Sequence, residues 1–265
     1  MSIDPSATIH ASAVIEDGAV IGADCIVGPF CCVGAQVKLS RAVHLKSHVV
    51  VTGETSIGEE TVIFPFASIG EIPQDLKFSG EATRLEVGAR NRIRESVTMN
   101  TGTKGGGGLT KVGNDGLFMA GAHVAHDCIV GDRIIMANNA ALAGHCQVAD
   151  DVIIGGLSGV HQFVRIGRGA IIGAVTMVTN DVIPHGLVQG PRGVLDGLNL
   201  VGLKRKGVAR SDITALRAGY QMLAQGEGTF QDRARRLAEE TESDYVREVA
   251  DFVLGETDRS FLTPG

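Results

Sequence analysis

The sequence predicts a mainly β chain, a parallel β-helix of hexapeptide repeats followed by a small α-helical C-terminal domain, and three observations carry that prediction. An aliphatic residue recurs every sixth position from Ile9 (Ile15, Ile21, Val27, Val33, Leu39, Leu45, Val51, Ile57, Ile63, Ile69). Four residues after each lead stands a small or β-branched side chain, among them Ala13, Ala19, Cys25, Cys31, Val37, Val43, Val49, Thr55, Thr61 and Ala67. The composition fits a glycine-punctuated β solenoid, with 36 Gly, no Trp and 4% aromatics in 265 residues. A six-residue period is neither the 3.6 of a helix nor the 2 of an amphipathic strand. It is the signature of short strands that stack on their counterparts one coil away.

Taken in order, the frame runs unbroken to Ile69, reappears at Val87, Ile93 and Met99, and returns at Val112. From there it continues through Phe118, Val124, Val130, Met136, Leu142, Val148, Ile154, Val160, Ile166, Ile172 and Val178. Three hexads per coil give roughly nine coils, a prism on the order of 40 Å long. Gly often follows the lead directly (Gly22, Gly28, Gly58, Gly88, Gly113, Gly131), where freedom in φ is expected for a chain turning a corner. The two breaks read as loops: residues 70–86, with both charge signs and Pro73, and residues 100–111, with the run Gly105 to Gly108. Long loops on a rigid scaffold are usual places for binding groups. The β-helix is assigned to residues 1–184, and Pro184, Gly186, Gly190 and Pro191 mark a boundary. Residues 191–265 read as helical. Ser211 and Asp212 are expected to cap a helix with Ile213, Leu216, Tyr220 and Leu223 on one face. A second is expected from Thr229 to Asp232 onward, and a third from Ser243 and Asp244 carrying Val246, Val249 and Val253.

Charge and targeting signals exclude several classes. A net charge of −6 gives no argument for nucleic acid or an anionic membrane surface. No apolar run approaches the roughly 18 residues of a membrane span, and Met1 to Ser6 carry no basic or apolar targeting pattern, so a cytoplasmic protein is expected. Four of the five cysteines (Cys25, Cys31, Cys128, Cys146) fall in the small-residue column and read as core fillers; with Cys32 they form no CxxC.

The polar residues that carry chemistry centre on His123 and His126, with Asp127 directly after the second. Neither histidine occupies an interior column. At about 18 residues per coil, His145 and His161 fall on the next two coils, with Gln162 beside the latter. Histidine exchanges a proton near neutrality, so a general base with binding partners is one reading. A His-rich metal site with Asp127 and purely structural histidines are the others. A nucleophilic triad lacks its nucleophile, since Cys128 lies in a core column.

Several motifs then occur in order: Gln74, Asp75, Leu76, Lys77; Arg92 through Thr98; His123 through Cys128; Leu142, Ala143, Gly144, His145; Val160 through Phe163; and Gly202, Leu203, Lys204, Arg205. Together with the repeat they resemble the bacterial acyl-[acyl-carrier-protein]–UDP-N-acetylglucosamine O-acyltransferases of lipid A biosynthesis, over essentially the whole chain. The resemblance implies a left-handed β-helix, an exception to the usual right-handed crossover, and a homotrimer with sites between subunits. It implies transfer of an (R)-3-hydroxyacyl group from acyl carrier protein to the 3-hydroxyl of UDP-N-acetylglucosamine, with no metal and no cofactor. By the same resemblance His126 is the general base, Asp127 its orienting partner and the Gly144 N–H an oxyanion donor. His123, His145, Gln162, Asp75 and Lys77 match positions that hold the sugar and acyl chain, and His161, Asn199 and Arg205 positions that hold the nucleotide. Lys204, Arg205, Lys206 and Arg210 are the candidate contact for the acidic carrier protein.

The chain departs from the family pattern at three places. Met99, Asn100, Thr101, Gly102, Thr103 stand where well-known members read Ile-His-Arg-Gly-Thr, and Val201 stands where the pattern has Glu. Ala174 stands where long-chain members have Gly, so a slightly shorter acyl chain is expected. Acylation of a 3-amino sugar nucleotide remains an alternative acceptor chemistry. Two other readings are the pathway's later N-acyltransferase, whose relatives carry a domain before the hexads, and a metal-binding solenoid of the carbonic anhydrase type.

Overall fold

A lead aliphatic plus five residues is long enough for one two-residue strand and one corner, and most hexads form that unit. The structure, a computed structural model describing residues 2–264, is a left-handed parallel β-helix with helices at its C-terminal end. Its strands stack into three sheets of nine, eleven and nine strands. The register is fixed by the period: Ile9 lies on Val27, Val27 on Leu45, and Leu45 on Ile63. Lead residues such as Val27, Leu45, Ile57 and Ile154 point inward and are almost fully buried, while their strand neighbours face out. The small column is interior too, and Cys25, Cys31, Cys128 and Cys146 are buried there, whereas Cys32 is exposed. Burial pushes the Cys25 and Cys31 thiols up, which suits inert fillers.

The glycines after the lead serve a purpose other than the one expected. Positive φ falls two residues later, mostly on non-glycine corners such as Asp24, Phe30, Asp127, His145 and Phe163. Gly22, Gly28 and Gly58 do not adopt it. They are glycine because the next coil lies against them: a Cβ on Gly28 would come 2.6 Å from the Lys46 carbonyl oxygen. The close stacking of corners, not turning freedom, selects glycine.

Where the hexad frame lapses, the coil stays intact. Strands Glu54–Ile57, Arg84–Val87 and Leu109–Val112 are four residues long and pair in register, so residues 72–83 and 101–108 leave the prism as loops. Stacking also continues past Val178. Strand Gly186–Gln189 lies parallel on Ile171–Ile172, and Val194–Leu198 turns back antiparallel against it.

Helices α1 (Leu200–Arg205), α2 (Arg210–Gln225), α3 (Phe230–Glu240) and α4 (Asp244–Leu254) follow. Asn199 caps α1, a helix too short to show as a periodic pattern, by accepting from the Gly202 N–H. The expected Ser211–Asp212 cap of α2 does not form. That helix begins at Arg210 after Ala209 with no side-chain cap, and the Asp212 carboxylate instead accepts from the Ser243 hydroxyl at 2.8 Å. Thr229 and Asp232 form a reciprocal capping box on α3. The apolar faces of α2, α3 and α4 join the prism in one continuous core.

Polar latches fix the tail. Glu248 of α4 accepts two hydrogen bonds from Arg168 (2.7 and 2.6 Å) and one from the buried His185 (3.2 Å). Burial alone would raise the Glu248 carboxyl, but the bonds from His185 and Arg168 outweigh it and hold it at about 2. A folded pKa below the unfolded value contributes stability that is complete above the ordinary carboxylate range and is lost as pH falls from about 4.5 toward about 2. Thermal unfolding followed from pH 7 downward should therefore show an acid-side decline that Glu248→Gln flattens. An unchanged slope in that variant would place the acid-labile carboxylate elsewhere.

Candidate active site

The stack brings three consecutive coils to one edge of the prism, where Asp127, His145 and Phe163 occupy successive corners. All three have positive φ (58, 62 and 65°), as do the equivalent corners along the prism, so this conformation belongs to the coil and is not strain reserved for the site. It turns the three side chains along one edge. His145 stacks face to face on Phe163 at 4.4 Å, and His126 meets His145 edge-on at 5.0 Å.

Asp127 organises the centre. Its Oδ1 accepts from the Thr103 N–H (2.8 Å), and its Oδ2 accepts from the Thr103 hydroxyl (2.6 Å) and from His126 Nδ1 (2.8 Å). Its own N–H donates to Thr110 Oγ1 at 2.8 Å. A carboxylate accepting from Nδ1 assigns the imidazole proton to that nitrogen and leaves Nε2 as the free acceptor. The loop after Asn100 makes this possible. Thr103 caps a single 3-10 turn, Lys104–Gly106, and the chain passes so close to the carboxylate that a Cβ on Gly106 would collide with it. Part of the glycine run thus reads as close approach to Asp127. His126, which the hexad frame alone places outside the core columns, is buried as well, only 5% exposed.

Gly144 lies beneath the imidazole. A Cβ there would stand 2.6 Å from His126 Nε2, and the ring is held by Asp127 and cannot swing aside. Gly144 is largely buried, and its N–H meets no acceptor among the described residues.

Two openings flank the pair. One is a cleft of about 450 Å³ bordered by Gln74, His123, His126, Gly144, His161 and Gln162. On its sheet face the outward residues stack as His123, Ala141, Gly159 and Met177, and a Cβ on Gly159 would touch nothing within 4 Å. The small residues leave a trough between His123 and Met177. The other opening, about 500 Å³, is bordered by Asp75, Lys77, Thr103, Lys104, His145 and Phe163. Glu81 joins its two loops: the N–H groups of Ser79, of its own residue and of Lys104 hold its carboxyl at about 2. A wider open groove between α2, α3 and α4, bordered by Asp212, Met222, Leu237 and Glu240, has no comparable convergence of bases.

Of the residues singled out from sequence, His123, His126, Asp127, Gly144, His145, His161, Gln162, Asp75 and Lys77 therefore meet at one edge. Asn199, Arg205 and Ala174 border neither opening. Asn199 is occupied by its cap and by a bond to the Gly169 carbonyl (3.0 Å), while Arg205 and Ala174 are exposed. All four cations of that cluster are exposed, and Lys206 is the one paired with Asp151, at 2.8 Å. The residue-level reading missed Thr103, Phe163 and Arg259. Asn100 is buried at the root of the loop after Glu71, and its amide donates to the Ile72 carbonyl at 3.0 Å.

His126, Asp127 and His145 present ligand atoms within 4.8 Å of one another. The donor set argues against a metal there, because both Asp127 oxygens already accept from Thr103 or His126. The arrangement suits proton transfer at Nε2 with an N–H donor alongside.

Comparison with known proteins gives a consistent picture. A family model described as "Udp N-acetylglucosamine O-acyltransferase; Domain 2" matches residues 181–262. A protein of Paracoccus denitrificans (strain Pd 1222), named acyl-[acyl-carrier-protein]–UDP-N-acetylglucosamine O-acyltransferase, is 72% identical over 204 residues, 77% of either chain. The structure of the UDP-N-acetylglucosamine acyltransferase from Campylobacter jejuni superposes with a TM-score of 0.91 at 35% identity, covering 97% of this chain and all (100%) of that one. The Arabidopsis UDP-N-acetylglucosamine acyltransferase gives 0.85 at 33% identity, covering 96% of this chain and 100% of that one.

Burial, with the His126 charge second, lowers His123 from 6.5, and burial is also the largest cause of the lowering at His145. Loss of the charged form is the sign expected for a desolvated imidazole, so both rings should be neutral at pH 7. An NMR titration should give midpoints below 6.5 for both. A midpoint above that value at either ring would contradict the enclosed geometry.

Proposed function

This chain belongs to the acyl-[acyl-carrier-protein]–UDP-N-acetylglucosamine O-acyltransferase family, and from that membership we propose that it moves an (R)-3-hydroxyacyl group from acyl carrier protein to the 3-hydroxyl of UDP-N-acetylglucosamine, opening lipid A biosynthesis. The observation that carries the reading at atomic level is the buried Thr103–Asp127–His126 chain, which leaves Nε2 free at the head of the cleft beside the Gly144 N–H.

In this mechanism His126 Nε2 takes the proton of the sugar 3-hydroxyl as that oxygen attacks the thioester carbonyl. Asp127 stabilises the imidazolium through Nδ1–H, and Thr103 holds the carboxylate in place. The Gly144 N–H donates to the tetrahedral oxyanion, where a preorganised donor in a dry site lowers the barrier. Collapse breaks the carbon–sulfur bond, and the departing thiolate recovers the proton from His126. A thioester is already an activated acyl donor, so the scheme calls for no cofactor.

The remaining residues are assigned to binding. His123 and Gln162 border the cleft and Asp75, Lys77 and His145 the second opening, so these hold sugar and acyl chain. His161, Asn199 and Arg205 are assigned to the nucleotide, with Asn199 and Arg205 supplied by a neighbouring copy in a homotrimer. Their separation from the cleft supports that arrangement, as do the exposed apolar corners Phe30, Phe66, Leu157 and Val175. Lys204, Arg205 and Arg210 present the cationic surface for an acidic carrier protein. Ala174 limits acyl length. No described helix is long and apolar enough to cross a membrane, and a cytoplasmic enzyme is proposed.

Acyl transfer from purified 3-hydroxyacyl carrier protein should fall by roughly 10²–10⁴-fold in His126→Ala. Near-full activity in that variant would remove His126 from the chemistry. A parallel assay with the 3-amino sugar nucleotide should show the hydroxyl acceptor preferred. In a donor series, Ala174→Gly should shift preference toward longer acyl chains, and an unshifted profile would release Ala174 from that role.

A further inference from the structure

We infer that Arg259 is a positioning residue for the acceptor end of the cleft, holding His161 as a neutral imidazole that donates from Nε2. The inference rests on the proposal above that His161 contacts the sugar nucleotide.

Arg259 reaches His161 from the far end of the chain. Its Nη2 lies 2.6 Å from His161 Nδ1 and its Nε donates to the Gln162 carbonyl at 3.0 Å, so the planar fork spans both residues at once. A guanidinium has donors only and stays protonated. The Gln162 carbonyl also lies 3.3 Å from His161 Nδ1 and would accept from an Nδ1–H. The guanidinium at 2.6 Å is the closer partner and makes Nδ1 the acceptor, so the proton of the ring is assigned to Nε2. An Nδ1–H would set a donor against the guanidinium's donors. Because His161 borders the cleft, the result is an N–H donor suited to a carbonyl, hydroxyl or phosphate oxygen of the acceptor.

The segment that delivers Arg259 is strapped at several points. Asp181 is fully buried (0% exposed) and accepts from Arg165 Nε at 2.7 Å and from the Thr257 hydroxyl at 2.6 Å. The Arg259 N–H donates to that same Thr257 hydroxyl oxygen at 3.0 Å. The Asp181 N–H donates to the Ser260 carbonyl and the Leu262 N–H to the Asp181 carbonyl, both at 2.8 Å. Arg165 itself packs over Phe252, 4.5 Å from its ring centroid. A residue anchored on both sides can hold a ring in one orientation, which a free surface arginine cannot.

The test combines kinetics with a direct view of the ring, using the full-length protein. Nitrogen-15 NMR should show His161 of the wild type in the Nε2–H form, and Arg259→Gln should mix the two tautomers. The same variant should raise the KM for UDP-N-acetylglucosamine about tenfold, the scale of one hydrogen bond involving a charged group, with kcat within about twofold. Arg259→Lys, which keeps one charged donor, should recover part of the loss. On a His161→Ala background, Arg259→Gln should add nothing.

A wild-type ring in the Nδ1–H form overturns the inference without any variant. So does an unchanged KM in Arg259→Gln, or an effect that adds fully to that of His161→Ala. If His161→Ala alone leaves KM unchanged, the assignment of His161 to the sugar nucleotide falls, and the tautomer measurement still judges the hold of Arg259 on the ring.

Discussion

Each coil hydrogen-bonds to the next in the same register, whether or not a loop intervenes, and the rest of the molecule depends on that constraint. The Ile129 N–H meets the Cys146 carbonyl, and the Gln147 N–H meets the Val164 carbonyl. Side chains one coil apart are thereby placed a strand spacing apart, about 4.8 Å, and cannot drift. The edge that carries Asp127, His145 and Phe163 inherits this precision. So does the opposite requirement, closeness: the backbone of one corner lies against the next, and a Cβ at Gly28 has no room. A scaffold this regular allows catalytic geometry to be built from residues far apart in sequence without a mobile domain to assemble them.

Regularity also explains what could be read in advance. The lead and small columns specify the interior directly, because burying a hexad face is the only way a two-residue strand can be stabilised. Coil arithmetic alone places His145 and His161 near His123. The same arithmetic is silent on whatever leaves the coil. The hexad frame puts His126 outside the core columns, which is right for the prism, yet the ring is buried and tied to Asp127, which a loop outside the period holds. Thr103 lies in that loop, and its bond to Asp127 depends on a glycine-lined approach that sequence presented only as flexibility.

Local polar signals were legible when they stayed local. Thr229 and Asp232 are three residues apart and cap α3 as their spacing implies. Ser211 and Asp212 carry a similar signal and fail, because Ser243 from the start of α4 offers Asp212 a better partner than the first turn of its own helix. Asn199 shows the reverse case. Resemblance assigned it to a ligand, and the chain uses it to start α1 and to tie that helix to Gly169. Both oxygen and nitrogen of its amide are engaged, so any contact to a nucleotide must share these groups.

The two ends of the site are therefore built on different principles. The proton-transfer end is complete within one chain: Thr103, Asp127, His126 and Gly144 are buried, mutually bonded or in contact, and closed by a loop between two consecutive coils. The acceptor end is open and assembled at long range, with His161 and Gln162 from one coil and Arg259 from a tail strapped to Asp181. Burial at the first end keeps dipoles fixed where charge develops, which is what lowers a barrier. Openness at the second allows a ligand to enter and leave. A single rigid scaffold satisfies both demands because its loops and its tail reach the same edge.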